Sequence, residues 1–417
     1  MIGAGFLGGA KSRLLPASIP FRFFATAAGF HVLAWGSLLL SADEIARYEG
    51  GIGAPLGAIH LLTLGVFVMT AMGAAFQLLP VATRQPLISI WPARIAYWVF
   101  TPGVFVLAAG MWNGETLLLW SGAVLVSAGL TIFLCLVAIN LRRAQDVPVS
   151  AAYSWVALGA LALLTGLGLA LVVDFSTGFL GDHQAVALAH MIFAVYGFMG
   201  LLVFGFALIL IPMFALSKVP PAGPSWVGLG IGVSALVCGA WGILADSTIM
   251  TGAALVLGSF AAGCHIWAMG WTLKQRMRKR LEPFFFMLQA AWGLLALSLL
   301  IPLAGYAGIP IPNAATLFGF VALAGWLLTF LLGVLQRIMP FLASMHISGT
   351  GRKPPLVSEL SAAVPLKIHT YCHMSALALV SAGIVSEISE LIAAGAAIGL
   401  VGSIAFAVFA GKVITKL

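Results

Sequence analysis

Residues 53–80 read GAPLGAIHLLTLGVFVMTAMGAAFQLLP, a run without an acid, a lysine or an arginine, in which His60 is the one ionisable side chain. At about 1.5 Å rise per residue, such a run outlasts the roughly 30 Å of a bilayer's hydrocarbon core. Lipid offers backbone groups no water to bond to, so the run must bond to itself as a helix. Working outward, comparable stretches begin near Phe21, Ala93, Thr116, Ala151, Gln184, Trp226, Met250, Pro283, Pro312, Thr370 and Leu391, which makes twelve spans in all. With 62% hydrophobic and 8% charged residues, against roughly a quarter charged in soluble chains, little is left for a soluble domain. The expected class is an all-α polytopic membrane protein, residues 1–417 forming a single membrane domain.

The first span follows Lys11 and Arg13 as a signal peptide would, but it runs past the length of such a core and has no small-residue cleavage site before Asp43 and Glu44. It is therefore expected to be retained as a helix.

Charge sets the expected orientation, because cytoplasmic loops carry an excess of Lys and Arg. With twelve spans, Arg47 alone among the basic residues falls outside, while one side collects Lys11, Arg13, Arg84, Arg142, Arg143, Lys218, Lys274, Arg276, Arg278, Lys279, Arg280, Arg352, Lys353, Lys412, Lys416 and the rest. Asp43, Glu44, Glu115, Asp174, Asp182, Asp246, Glu387 and Glu390 collect on the other. A missed or invented span would invert every later loop, so the split supports the count. Both termini are expected on the cytoplasmic face of the plasma (inner) membrane. The +8 net charge reads as topology and contact with anionic lipid, with no nucleic-acid partner.

Cys135, Cys238, Cys264 and Cys372 all lie within apolar spans, which argues for packing and against a disulfide framework.

Internal repetition organises the rest. The run ending Gly73-Ala-Ala-Phe-Gln-Leu-Leu-Pro80 returns as Gly205-Phe-Ala-Leu-Ile-Leu-Ile-Pro212 and as Gly333-Val-Leu-Gln-Arg-Ile-Met-Pro340, about 130 residues apart. The fourth and eighth spans share Ser121-Gly-Ala and Thr251-Gly-Ala near their starts and the basic exits Arg142 and Lys274. Three parallel four-helix units follow, at about 15–145, 146–280 and 281–417. Each Pro is expected at the inner end of its helix, where the chain leaves without losing an interior hydrogen bond.

Every acid lies near a span end, so apart from Arg337 the interior's ionisable chemistry is imidazole. A neutral aromatic nitrogen suits haem iron, copper or zinc. His60 and His190 lie at similar depth in the second and sixth spans, roughly two turns inside the outer interface. Phe67, Met69, Met72, Phe76, Phe193, Tyr196 and Phe198 read as a flat lining fit for a porphyrin. The competing reading has each ring bonded to a carbonyl of a neighbouring helix. His31, in mid-span, divides between ligand and packing residue. His183, beside Asp182, reads as a solvated helix start, with a haem propionate as the other choice, and His346 as part of a solvated basic loop. His265, His369 and His373 lie toward the cytoplasmic side, the last two sharing a face at i, i+4, metal-competent but lacking a third ligand.

The motif His60-Leu-Leu-Thr-Leu-Gly65, continuing through Met72-Gly73-Ala-Ala-Phe-Gln-Leu-Leu-Pro80, together with the three four-helix arcs, resembles subunit I of haem-copper oxidases and nitric oxide reductases. Pro20-Phe-Arg-Phe-Phe and His60 are also similar to the NnrS family, haem and copper proteins of nitric oxide metabolism. The resemblance implies that His60 is an axial ligand of a b-type haem and that His190 occupies the helix which carries a copper ligand in the oxidases, with His190, His31 or a partner subunit as second axial ligand. Copper is implied more weakly. The oxidases' His pair on the seventh helix has no counterpart in Trp226–Leu244, Asn313–Pro340 holds none of the tenth helix's haem ligands, and Ala194 stands where many oxidases have Tyr.

Full oxygen reduction is therefore not expected; the expectation is a membrane haem protein for electron transfer, nitric oxide handling or haem and copper supply. Other membrane subunits would be its partners. The alternative is a cofactor-free transporter or structural subunit.

Overall fold

The computed structural model describes residues 13–144, 146–349 and 355–417, so Lys11, Arg352 and Lys353 of the charge pattern lie outside the described residues. Twelve long apolar helices follow in order: α1 Ser18–Leu40, α2 Ala54–Ala82, α3 Trp91–Asn113, α4 Thr116–Arg142, α5 Pro148–Thr177, α6 His183–Ala215, α7 Ala222–Leu244, α8 Thr248–Lys274, α9 Phe284–Tyr306, α10 Ala314–Ser348, α11 Ala363–Ser386 and α12 Ser389–Ile414. Among the described residues there is no strand. The chain is a multi-pass membrane protein, with helix starts close to those expected except at α11, which begins at Ala363 and takes in Lys367 and His369.

Local chemistry places these ends. Pro55, Pro92 and Pro148 occupy first-turn positions, where the missing N–H costs nothing. Asp182 caps α6 by accepting from the Ala185 N–H at 2.9 Å. The prolines of the repeat behave differently from expectation. α2 and α6 end within a turn of Pro80 and Pro212, but α10 runs on beyond Pro340 to Ser348. Proline forfeits one backbone bond, and packing of the following turns carries the helix past it: His346 meets the Phe21 ring edge-on at 6.2 Å. His346 is thus half-buried in a helix and not in a solvated loop.

Two-residue or three-residue turns close the hairpins α3/α4, α7/α8 and α11/α12. In each, a glycine lets the partner's backbone nitrogen approach: added methyl groups at Gly110, Gly242 and Gly383 would lie 2.6, 2.6 and 2.9 Å from the nitrogens of Leu119, Thr251 and Ile392. α12 returns to pack on α1, closing the ring of helices. Inside stand α2, α6 and α10, with 72, 89 and 78% of their span windows buried against 22 to 56% for the other nine.

These three inner helices share an unusual backbone. Each contains a π-helical stretch, Leu61–Val68, Phe193–Gly200 and Val321–Leu328, in one register with the later glycine and proline. Gly65, Gly197 and Gly325 occupy the same place in each stretch.

Candidate functional site

The inner helices are packed unevenly along their length. From Leu201 to Ala215, α6 buries all but two residues, and Met69–Ala82 of α2 all but two. At the acidic end the packing opens: Ala314–Phe320 of α10 buries no residue, and His183–Ile192 of α6 buries Ala185 and Ala189 alone. The basic halves of α2 and α6 are thus enclosed and the acidic halves of α6 and α10 open, while α10 meets α2 and α6 at the π stretches.

His60 and His190 lie in that open half. His60 immediately precedes its π stretch, and its Nδ1 donates to the Leu56 carbonyl at 3.0 Å. His190 precedes its own stretch by three residues, and its Nδ1 donates to the Leu164 carbonyl of α5 at 2.8 Å. In the repeat register His60 is thus matched by Ile192, and the two imidazoles are offset from each other by two residues. A carbonyl only accepts, so each Nδ1 carries the proton and each Nε2 keeps its lone pair. Neither Nε2 is a buried, unpartnered atom; both half-buried rings face accessible space. The two rings are near enough to interact electrostatically. A metal-binding imidazole is commonly held in this way, one nitrogen bonded to a carbonyl and the other free. The carbonyl that His190 bonds lies on a neighbouring helix, as the competing reading has it, whereas the one that His60 bonds lies one turn back on its own helix.

The expected porphyrin lining is not available as drawn. Phe67, Met69, Met72, Phe76 and Phe198 are fully or almost fully buried in the core, Phe76 edge-on between Phe23 and Phe133. Tyr196 stacks on Trp326 at 5.5 Å and shares a hydrogen bond with Ser298. The physical reason is the π stretch: its wider turn rotates every later side chain away from the face that 3.6-residue periodicity assigns. Phe193, which belongs to that lining, is half-buried.

His31 is not brought to His60. It turns toward α11 and α12, its ring centre 5.9 Å from that of His369, which in turn lies 5.7 Å from His373. Sequence reasoning left His369 and His373 without a third member because α1 meets α11 and α12 only when the ring closes. All three rings are at most 1% exposed.

The remaining histidines are occupied. His183 opens α6 with its side chain 36% exposed, as expected of a solvated helix start, and there it pairs with Asp174 at 2.7 Å. His265 stacks on Phe204 at 3.9 Å between ring centres. Among the described residues, no group of three or more His, Cys, Asp or Glu is arranged to hold a metal ion, and the four cysteines are unbonded.

Among solved structures, the fold is similar to that of a haem-copper terminal oxidase determined as a dimer by cryo-electron microscopy. The match has a TM-score of 0.67 and 13% identity, and covers 96% of this chain and 84% of that one. No protein-family model matches the chain, and no curated protein matches it in sequence. The class defined is a twelve-helix membrane protein with the haem-copper oxidase fold; at this identity the likeness establishes the fold alone.

Proposed function

We propose that this chain is a membrane haem protein that transfers electrons, with His60 and His190 as axial ligands of a b-type haem in the open, acidic half of the bundle. The observation that carries the reading is the pair of imidazoles on two inner helices, each anchored through Nδ1 to a carbonyl with Nε2 free. The donor set suits haem, whose iron takes neutral imidazole on either face. It does not suit the oxidases' copper centre, because Trp226–Leu244 offers no histidine and His190 has no second imidazole on α7. No step through copper is therefore derived, and haem or copper supply is the weaker choice.

A haem held here would supply one-electron oxidation and reduction. The protein's own part is to fix the two rings by their carbonyl bonds, so that neither rotates as charge on the metal changes, and to keep water out with the apolar helices around them. With both His60 and His190 holding it, such a group would supply electron transfer in preference to binding of oxygen or nitric oxide. The donor and acceptor would be other membrane or membrane-surface subunits, and the basic loops favour a cytoplasmic position for both termini in the plasma membrane.

The test is the visible spectrum of detergent-purified protein before and after dithionite. A Soret band and reduced α and β bands are expected, with loss of the low-spin spectrum in His60→Ala and in His190→Ala. A folded wild-type protein that is colourless after expression with added haem precursor would sink the reading and leave the histidines as helix-to-helix ties.

A further inference from the structure

His31, His369 and His373 lie outside the proposed haem site, and each is tied at one nitrogen and bare at the other. Trp35 Nε1–H, which can only donate, donates to His31 Nε2 at 3.0 Å. His31 Nε2 is therefore an acceptor, and in the neutral ring the proton sits on Nδ1. His369 Nδ1 donates to the Gly402 carbonyl at 3.1 Å, so its Nε2 keeps the lone pair. Thr329 Oγ1 gives its proton to the Ala324 carbonyl and so accepts from His373 Nε2 at 2.7 Å, leaving the lone pair on His373 Nδ1.

His31 Nδ1, His369 Nε2 and His373 Nδ1 are all buried and without a hydrogen-bond partner. One is an N–H donor and two are acceptors. A buried polar atom with no partner costs about 1–3 kcal/mol, and three in one cluster call for a common partner. That partner must donate twice and accept at least once, which is the hydrogen-bonding capacity of water. Ring centres 5.9 and 5.7 Å apart leave room for this, since two bonds of about 2.8 Å meeting at water's near-tetrahedral angle hold nitrogens about 4.6 Å apart, and each nitrogen lies about 1 Å from its ring centre. The same tautomers argue against a metal, because His31 turns an N–H, not a lone pair, toward the cluster. A porphyrin has no room among rings this deeply buried with Phe406 against two of them.

We propose that His31, His369 and His373 bind a single water molecule within the membrane and make of it a proton-exchange site. A proton arriving as hydronium forms an N–H bond at His369 Nε2 or His373 Nδ1 and leaves water behind, so that atoms and charge balance. His369 and His373 both act electrostatically on His31, and exchange at this site is assigned to the water and the three rings.

The test is solid-state NMR of full-length protein carrying 15N-histidine, in lipid nanodiscs. In the wild type, protonated Nδ1 is expected at His31 and His369 and protonated Nε2 at His373, with magnetisation transfer from water to all three. In His369→Phe, transfer to His31 and His373 should be lost together while the haem spectrum is unchanged. Trp35→Phe, which keeps an aromatic ring, should release a second His31 tautomer protonated at Nε2. Absence of water transfer in the wild type overturns the proposal. So does one equivalent of copper or zinc per chain that disappears in His369→Phe, since the trio would then be a metal site. Should His369→Phe fail to fold, an unchanged single tautomer in Trp35→Phe overturns it equally.

Discussion

His183 and His190 stand on one helix, yet their surroundings give them different work. At the helix start, the Asp174 carboxylate accepts from His183 at 2.7 Å and from the Leu180 N–H at 2.6 Å, tying the end of α5 to the start of α6. Asp174→Ala removes both bonds and leaves two unpaired donors. Asp182→Ala removes one helix cap, typically worth about 1 kcal/mol. The expected outcome in a thermal melt is a larger fall in Tm for Asp174→Ala, and an equal or smaller fall would show that the pair is screened out by solvent. The sequence identified His60 and His190 because an ionisable group in an otherwise apolar run stands out without any knowledge of the fold. It could not join His31 to His369 and His373, which lie at opposite ends of the chain, nor distinguish the His183 ion pair from solvation, since Asp174 lies across a turn.

Secondary structure shows the same divide between what periodicity contains and what packing decides. Span length and the repeated Gly and Pro positions are local features, and both were legible. The π stretches were not, because an i→i+5 pattern has no compositional signature and arises where neighbouring helices press on the backbone. Gly65 illustrates that pressure: a methyl group there would lie 2.5 Å from Cγ of Phe30 on α1, whereas at the matching Gly325 the nearest atom, on Leu294, is 3.5 Å away. Overpacking typically costs about 1–3 kcal/mol, while filling an ordinary contact with alanine in a helix gains up to about 1 kcal/mol. Gly65→Ala is therefore expected to lower Tm, and to disturb the haem spectrum through the adjoining His60. Gly325→Ala should leave Tm equal or raised. If both variants behave alike, close approach at Gly65 is not what holds α1 against the first π stretch.

At the scale of the whole molecule, 13% identity accompanies a shared twelve-helix fold, so very few side chains are needed to specify the architecture. What specifies it is span count, hairpin length and the sign of the loops, and these are tied to one another. Each unit of four spans returns the chain to the side on which it started, so the three inner helices must run in the same direction. Charge adds direction to that geometry: Lys412 lies in the last turn of α12 and Lys416 follows it, while Asp246 lies in the turn between α7 and α8 and Glu387 in the turn between α11 and α12. At the basic end, Arg337 pairs with Glu282 at 2.8 Å, Arg278 binds the same carboxylate, and Arg84 pairs with Asp146 at 3.2 Å, so two of the three acids on that side, Glu359 being the third, are neutralised locally and do not oppose the bias. Reporter fusions test the result. A fluorescent protein joined after Leu417 should fluoresce, because it folds in the cytoplasm, and alkaline phosphatase inserted at Asp246 should be active, because it needs the oxidising side of the membrane. Phosphatase activity at Leu417 as well as at Asp246 would mean that the five spans α8 to α12 between them do not set the two sites on opposite sides, and would break the link between charge and helix count. Silence of the phosphatase at Asp246 with activity at Leu417 would instead put the acidic end and the proposed haem ligands at the cytoplasmic face, and an electron donor would have to be sought there.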